Sequence, residues 1–561
     1  MIDFSNIFYE VALILAIATG VAFLALRLRQ PLIIAFIIVG ILIGPAGINL
    51  VNASESLELF AELGIALLLF VVGLKLDPHE IQAVGPVALT TGIGQIIITG
   101  SLGYVIAIAL GLNSISAFYV GIALTFSSTI IIVKLLSDRR EIDALHGRIA
   151  LGILIVQDIV VVLVMIALSA FTESANQALG KELLIVLLKG SIFLAFVALV
   201  TRYLFPKLLP ALAQSTELLL IFAISWAVAL AAVGDGLGFS QEVGAFLAGV
   251  SLASTPYRTD LGARLVSLRD FLLLFFFINL GVHIDVTNLG SEILPALILS
   301  AFVLIGKPLM VMILVGLMGY HKYTSVITSL SLGQISEFSL ILATLGVSLG
   351  QINQETLGLI TLIGIITMAV STYMIIDSHH LYDFLSPYLS WINCLNSTFK
   401  KQQDELSLFN HTQVDIIVFG LGRYGGNLLQ YLSQQQFSIV GIDFDPELVH
   451  SWRDKGILAF YGDAEDPEFA ATLPLNTAQW VVSTLPGQRV GIALLRTLKQ
   501  LQFQGKIALT SHSVQEKQIL QKEGADLVLL PFNDAAKEAA QTLVELTSCQ
   551  IESSGYTNNQ N

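Results

Sequence analysis

The stretch GRIALGILIVQDIVVVLVMIAL, residues Gly147–Leu168, decides the class of this fold. It is long enough to cross a bilayer as a helix, which takes about 20 apolar residues. Apart from Arg148 at its entrance, Asp158 is its only ionisable residue. A carboxylate at the centre of a membrane helix costs about 2.5–3.5 kcal/mol on insertion scales, so it is a functional candidate by default. We therefore expect Asp158 to bind a cation or a proton.

Composition extends this inference to most of the chain. Of its 561 residues, 55% are hydrophobic and 12% are charged, whereas a soluble domain carries about 25% charged residues. The apolar runs stop near residue 376, and an ordinary soluble α/β sequence begins near residue 400. The net charge of −14 argues against a nucleic-acid partner. Cys394 and Cys549 have neither a disulfide-framework spacing nor a metal-ligand spacing.

The apolar runs predict about thirteen membrane helices. They lie near residues 8–26, 31–50, 59–76, 84–111, 117–136, 147–170, 182–206, 217–234, 240–255, 268–284, 292–320, 325–350 and 356–377. With the N-terminus outside, most Lys and Arg residues between the runs face the cytoplasm, and little beyond Lys181 and Lys189 faces the other side. This asymmetry follows the positive-inside rule. It predicts a multi-pass protein of the cell (inner) membrane whose C-terminal domain is cytoplasmic.

Two of the runs are interrupted by polar residues. The fifth contains Thr125-Phe126-Ser127-Ser128-Thr129, and the twelfth contains Gly333-Gln334-Ile335-Ser336-Glu337-Phe338. Paired interruptions in the two halves of a transporter point to crossed, broken helices at a midplane ion site and to an inverted repeat. The alternative is that these Ser and Thr hydroxyls bond only to the carbonyl four residues earlier, as is common in membrane helices.

Two further charged residues lie inside apolar runs. Lys307 lies in the middle of the eleventh run, where an ammonium needs a cavity or a carboxylate, and Asp158 is the partner that we predict for it. The alternative is that Lys307 extends to the membrane interface. Glu337 is a second intramembrane carboxylate, and the sequence leaves open whether it takes part in ion or proton binding or is a protonated packing residue.

The soluble part begins with a nucleotide-binding pattern. The strand Val414–Phe419 leads into Gly420-Leu421-Gly422-Arg423-Tyr424-Gly425, a helical stretch follows, and a second strand ends at Asp443. In this context the glycines let a pyrophosphate approach the helix N-terminus, and the acidic residue reaches the ribose hydroxyls. The alternative is a Rossmann-like domain whose site is empty or degenerate. A third strand is predicted to end at Tyr461, and further strands are predicted near 478–483, 505–510 and 526–530. A dehydrogenase is not expected, because no substrate domain follows.

The membrane half resembles the Kef-type monovalent cation:proton antiporters. The resemblance is carried by Ser127-Ser128-Thr129, Val156-Gln157-Asp158 and the Gly333–Phe338 segment, together with Gly40–Pro45 and Phe70–Pro78. It implies a thirteen-helix domain with a dimerisation part and a mobile core, in which Asp158 lies between two broken helices and binds K⁺ or Na⁺ in exchange for protons by alternating access. Because Gln157 cannot ionise, we expect one-for-one, electroneutral exchange. The resemblance favours potassium over sodium.

The soluble half resembles the regulator-of-potassium-conductance (TrkA N-terminal) domain. Its Gly-Asp-Ala motif matches Gly462-Asp463-Ala464, and the resemblance places Asp463 and Ala464 near the adenosine of the ligand. Such domains pair as dimers and bind NAD(H) or an adenine nucleotide (AMP or ATP) as a regulator. The resemblance thus implies a homodimer through both the membrane and the cytoplasmic domains.

Two departures from the Kef pattern bear on regulation. The loop before the tenth helix reads Tyr257-Arg258-Thr259-Asp260-Leu261-Gly262-Ala263-Arg264, with arginine where glutathione-gated members carry acidic residues. Lys75 also replaces the family's usual glutamate. We therefore carry over no glutathione site.

The prediction is an α-helical polytopic membrane domain with two crossed broken helices (residues 1–377), a linker (378–412) and a cytoplasmic α/β Rossmann-like domain with a tail (413–561). The predicted function is secondary active transport, not enzymatic catalysis. The alternative is a nucleotide-gated potassium channel or a leaky efflux system, although the sequence contains no Thr-Val-Gly-Tyr-Gly-like filter. A membrane-tethered NAD-linked enzyme is the third candidate.

Overall fold

The computed structural model describes residues 7–45, 47–48, 55–75, 85–139, 141–142, 144–172, 179–237, 240–283, 289–320, 322–389, 414–435, 437–444, 446–464, 466–485, 488–511 and 513–555. The chain forms two compact units. The first contains Met1–Met318 and Ser325–Ser390, and the second contains Gly319–Thr324 and the chain from Trp391. Cys394, Arg140 and the segment Leu76–Pro78 lie outside the described residues, and so do the side chains of Lys75, Lys181 and Cys549.

The first unit is entirely helical over the residues described. Its helices are α1 (Ile7–Arg27), α2 (Leu32–Ile43), α3 (Glu55–Lys75), α4 (Gly85–Ala109), α5 (Ser114–Ala123), α6 (Thr129–Asp138), α7 (Leu145–Thr172), α8 (Leu179–Leu199), α9 (Phe205–Leu212), α10 (Thr216–Gly236), α11 (Gln241–Ala253), α12 (Arg258–Val282), α13 (Leu289–Ala301), α14 (Lys307–Leu317), α15 (Lys322–Ser331), α16 (Glu337–Ser348), α17 (Gln354–Ile376) and α18 (Ser378–Leu385).

Each of the thirteen predicted apolar runs contains helix within its described residues. Within the described ranges, nine helical segments are long and apolar enough to span a membrane, and shorter apolar helices occupy Leu32–Ile43, Ser114–Ala123, Gln241–Ala253 and Glu337–Ser348. Two of the runs are broken, between α5 and α6 and between α15 and α16, where the polar interruptions fall. The polytopic fold with two broken helices is therefore confirmed. The inverted repeat stays a prediction.

Two runs contain a π-helical turn instead of a break. Val200–Leu204 joins α8 to α9, and Phe302–Gly306 joins α13 to α14. A proline follows each turn closely, Pro206 in one run and Pro308 in the other. Because proline lacks an N–H and its ring collides with the carbonyl four residues earlier, an α-helix cannot continue through it undisturbed. A π turn absorbs the mismatch and keeps the run continuous.

Two boundaries differ from the predicted ones. The tenth run was predicted to start at residue 268, but α12 starts at Arg258, so most of the predicted loop is helical. The first turns of α12 bury Leu261 and Leu265, while Arg264 donates to Asp260 one turn earlier at 3.1 Å. Hydropathy misses such an amphipathic start. The predicted linker likewise begins with α18 and a 3₁₀ turn, Ser386–Leu389. The rest of the linker, 390–412, lies outside the described residues.

The second unit contains a six-stranded parallel sheet in the order β3-β2-β1-β4-β5-β6. Its elements are β1 (Ile416–Phe419), α19 (Arg423–Ser433), β2 (Ile439–Asp443), α20 (Pro446–Asp454), β3 (Leu458–Tyr461), α21 (Pro467–Ala470), β4 (Trp480–Ser483), α22 (Gln488–Gln500), β5 (Lys506–Thr510), α23 (Val514–Glu523), β6 (Leu527–Leu529) and α24 (Pro531–Gly555). All six predicted strands are present. The strand order reverses between β1 and β4, the place where open α/β sheets bind ligands.

Candidate functional site

Asp158 lies in α7, opposite the first break, which is the non-helical stretch 124–128 between α5 and α6. Its Oδ2 accepts a hydrogen bond from Thr129 Oγ1 at 3.0 Å. Thr129 is the first residue of α6, and the side chain of Ser128 caps that helix by accepting from the N–H of Ile131. The positive end of the α6 dipole therefore lies beside the carboxylate, an arrangement that stabilises an anion.

Gln157 points at the backbone of the same break. Its Oε1 accepts from the N–H of Ser127 at 2.8 Å, and its Nε2 donates to Gln95 Oε1 at 2.6 Å. Gln157 is buried. Of the two adjacent polar residues in α7, one contacts a hydroxyl at the start of α6 and the other holds the chain between α5 and α6.

The two breaks contact each other. Ser127 Oγ donates to the carbonyl of Leu332 at 3.1 Å, and Ser339 Oγ donates to the carbonyl of Ala123 at 2.6 Å. Each bond joins a residue of one broken run to the backbone of the other. A bond to the carbonyl four residues earlier therefore does not account for Ser127, and the predicted crossing of the broken runs is present.

Lys307 forms a hydrogen bond with the backbone of each break. It is fully buried, and its Nζ donates to the carbonyls of Phe126 at 3.0 Å and Gln334 at 2.8 Å. These carbonyls follow the C-terminal ends of α5 and α15, where helix dipoles are negative. The structure thus gives Lys307 backbone partners rather than Asp158. Burial also rules out the alternative that Lys307 extends to the membrane interface.

Glu337 is the first residue of α16, next to its capping residue Ser336. It is buried, with the Ser128 side chain among its neighbours. Its Oε2 has no hydrogen-bond partner among the described residues. It lines a cavity of about 640 Å³, together with Arg29, Lys134, Asp138 and Asp270. One carboxylate oxygen of Glu337 is therefore left without a partner in the part of the chain that the structure describes.

A second cavity, of about 510 Å³, has an acidic lining that sequence analysis did not single out: Glu58, Glu62, Asp235 and Glu242. The first cavity lies where α1 ends and α2 begins, and the second lies where α3 begins. Because α2 runs between these two places, the cavities lie towards opposite membrane faces. These acids come from three helices, α3, α10 and α11, and sequence analysis did not bring them together.

A charged cluster around the loop between α6 and α7 was also missed. Glu141, in the loop between α6 and α7, is buried and forms ion pairs with Arg139 at 3.2 Å, His146 at 3.4 Å and His379 at 3.1 Å. Burial alone would raise the pKa of Glu141, but hydrogen bonds from both histidines and the charge of Arg139 hold it well below its usual range. Arg139 also donates to the Ile375 carbonyl and to Ser378. The cluster fastens the loop after α6 to α18.

In the second unit, the glycine loop lies at the carboxyl end of β1. Gly420 has φ +88°, a left-handed conformation that favours glycine. A Cβ on Gly425 would meet the Gly420 carbonyl at 1.9 Å, whereas one on Gly422 would meet nothing within 4 Å. Gly420 is thus needed for the turn, and Gly425 is needed for close packing. The space beside Gly422 fits the approach of a phosphate.

The acidic residue after β2 has a role in this loop. Asp443 is buried, and its Oδ2 accepts from the N–H of Leu421. Thr484, at the end of β4, donates to the carbonyls of Phe419 and Gly420 and was not predicted. Both contacts hold the glycine loop in place at the point where the strand order reverses, so the described residues fit a bound nucleotide.

The remaining predicted residues lie at the start of α19 and directly after β3. Arg423 and Tyr424 begin α19. Burial raises the pKa of Tyr424, and the negative charge of Asp534 adds a smaller contribution in the same direction. Gly462-Asp463-Ala464 directly follows β3, where a Cβ on Gly462 would meet the Phe469 ring at 2.1 Å. Ala464 is buried. The structure thus places these residues at the carboxyl ends of β1 and β3, the two strands that flank β2.

Comparison with known proteins follows the same division. The family model described as "Sodium/hydrogen exchanger, transmembrane" matches residues 12–376, and the TrkA-N domain matches residues 416–531. The chain is 28% identical over 550 residues to the putative cation/proton antiporter YbaL of Escherichia coli (strain K12), covering 95% of each protein. It is 28% identical over 481 residues to the glutathione-regulated potassium-efflux system protein KefC of the same strain, covering 85% of this chain and 75% of KefC.

Among solved structures, the sodium proton antiporter MjNhaP1 from Methanocaldococcus jannaschii matches with a TM-score of 0.47 and 20% identity, covering 70% of this chain and 98% of that chain. The family model for the membrane part spans well over half of the chain. The chain therefore belongs to the sodium/hydrogen exchanger family of cation/proton antiporters and carries a C-terminal TrkA-N domain.

Proposed function

We propose that this transporter exchanges a monovalent cation for a proton at Asp158, with K⁺ as the preferred ion and Na⁺ as the alternative. The observation that carries the proposal is the position of Asp158 beside the N-terminal end of a broken helix. Its carboxylate accepts a hydrogen bond from Thr129 there. A carboxylate there can hold either a proton or an alkali ion that has lost part of its water. Because Gln157 cannot ionise, α7 carries one exchangeable charge, and exchange is electroneutral.

Two cavities support transport by alternating access. One reaches Glu337 and the other is lined by four acidic residues. Rocking of the core that carries the crossed breaks exposes Asp158 to each cavity in turn. The acidic lining concentrates cations at one face, and the unengaged oxygen of Glu337 offers a second proton or cation ligand at the other. The preference for K⁺ is supported by similarity to KefC, a potassium-efflux protein.

The TrkA-N domain regulates this exchange by binding NAD(H) or an adenine nucleotide such as AMP or ATP. The open space beside Gly422, at the N-terminal end of α19, is the place for the phosphates. Arg423 lies at the same helix start. The protein acts as a homodimer in the cell (inner) membrane, with its N-terminus outside and its C-terminal domain cytoplasmic. Its domains follow the boundaries 1–377, 378–412 and 413–561.

The test is cation flux in proteoliposomes at a fixed pH gradient, with the membrane potential clamped. Wild-type protein is expected to exchange K⁺ faster than Na⁺, and the rate of exchange is expected not to depend on membrane potential. NADH, AMP or ATP, added to the side of the TrkA-N domain, is expected to change this rate. Asp158→Asn is expected to abolish exchange, because an amide cannot carry a proton from one side to the other. Flux retained in Asp158→Asn would contradict the proposal. Single-channel currents would favour a nucleotide-gated potassium channel or leaky efflux system instead.

A further inference from the structure

Behind the first break lies a buried amide that no motif picks out. Gln95, in α4, is fully buried. Its Nε2 donates to the carbonyl of Thr125 at 3.0 Å and to Thr99 Oγ1 at 3.0 Å. Its Oε1 accepts from Gln157 Nε2 at 2.6 Å. Together with the bond from the Ser127 N–H to Gln157, these contacts form a chain that begins and ends on the backbone of the same break.

The two ends fix which atom of each amide faces which partner. The Ser127 N–H can only donate, so Gln157 presents its oxygen to it and its NH₂ to Gln95. The Thr125 carbonyl can only accept, so Gln95 presents its NH₂ to it and its oxygen to Gln157. Both ends therefore demand the same orientation of the pair. Turning either amide over would set two acceptors or two donors against each other in a buried place, where an unpaired polar group is strongly unfavourable.

We propose that Gln95 is a positioning residue for Asp158 and that it holds position 157 in a neutral, hydrogen-donating form. Through Gln157 it fixes the register of residues 125–127, and so the place of Thr129, whose hydroxyl contacts Asp158 at 3.0 Å. A carboxylate at 157 accepts from the Ser127 N–H but then faces the oxygen of Gln95 unless it keeps its proton. The pairing thus limits α7 to one exchangeable charge. This inference rests on the proposed role of Asp158 in exchange.

The first test compares Gln95→Leu with Thr99→Val. Both changes remove a hydrogen-bond partner in α4, but only the first removes the contact with Gln157 and the Thr125 carbonyl. In reconstituted vesicles, Gln95→Leu is expected to raise the KM for the cation about tenfold, the effect of losing one buried hydrogen bond, and to shift the pH of half-maximal flux. Thr99→Val is expected to stay within about twofold of wild type, because it leaves both backbone contacts of the break in place.

A readout independent of transport is hydrogen–deuterium exchange over residues 124–129. Gln95→Leu is expected to speed exchange in this segment, and Thr99→Val is not. Unchanged KM, pH midpoint and exchange in Gln95→Leu would overturn the inference. A purely structural role would lower the yield of folded protein without moving the KM or the pH midpoint of the folded fraction, and that result too would overturn it.

The second test places an ionisable group at position 157. Gln157→Glu is expected to leave exchange insensitive to membrane potential, because the added carboxyl keeps its proton to donate to Gln95. Potential-driven flux in this variant would overturn the claim that Gln95 holds the position neutral. Asp158→Asn, measured in parallel, separates the two proposals. If it still transports, the proposed function fails; if it is inactive while Gln95→Leu behaves as wild type, only this inference fails.

Discussion

Lys307 shows how one residue can hold two broken helices together. Its ammonium donates to the carbonyls of Phe126 and Gln334, one in each break. Lys307→Met keeps most of the apolar stem but leaves both buried carbonyls without this donor. Each buried polar group left unsatisfied costs about 1–3 kcal/mol, so the variant is expected to unfold several degrees below wild type in a detergent thermal-unfolding assay. Lys134→Met, at an exposed lysine of α6, is the control and is expected to change the midpoint little. Equal midpoints for both variants would contradict this role.

The residues of the site differ in how visible they were in the sequence. Asp158, Glu337 and Lys307 stand out because a charge in an apolar run is costly. The partners of Lys307 could not be predicted, since a backbone carbonyl has no signature in the sequence. Gln95 was missed for a related reason: a glutamine among the Thr and Gly residues of α4 looks unremarkable until its burial is known.

At the scale of elements, the loop after α6 is fastened to α18 through Glu141. The depressed pKa of Glu141 in the folded protein means that its ionised form stabilises the fold. This stabilisation is complete at pH values above the usual glutamate range, and it is lost as the pH falls through the lowered folded-state pKa. Glu141→Gln is expected to be less stable than wild type at pH 7 by about 3–5 kcal/mol, the cost of breaking a buried ion pair.

The measurement is thermal unfolding of both proteins at a series of pH values. The gap between wild type and Glu141→Gln is expected to be constant near neutral pH and to narrow only on strong acidification. Glu217→Gln, at a solvent-exposed glutamate, serves as the matched control. A gap that is absent at pH 7, or that widens as the pH falls, would contradict the assignment.

Helices and strands were largely predictable because apolar runs and strand–turn–helix patterns are local. The start of α12 was not predictable in this way. Its first turns are stabilised by an ion pair between two charged neighbours and by the burial of two leucines. The π turns were also missed. A proline in an apolar run signals a disturbance, but whether the run breaks, kinks or takes a π turn depends on the packing around it.

At the scale of the whole molecule, the positive-inside pattern and the two cavities make one joint prediction. Glu62 lines the acidic cavity and Asp138 lines the cavity that reaches Glu337. With the N-terminus outside, α1 ends at the cytoplasmic face, so the cavity beside Asp138 opens inward and that beside Glu62 opens outward. In a chain with Cys394→Ser and Cys549→Ser, Glu62→Cys is therefore expected to react with a membrane-impermeant maleimide in intact cells.

Asp138→Cys in the same background is expected to react only after the membrane is made permeable or in inverted vesicles. The cysteine-free chain gives the background signal. The opposite pattern would invert the topology and place the TrkA-N domain outside the cell, where cytoplasmic nucleotide could not regulate it. Labelling of both positions from one face would contradict cavities on opposite sides, and with them the route for alternating access to Asp158. Because each residue lies on a cavity wall and not in a helix-packing surface, accessibility rather than folding decides the result.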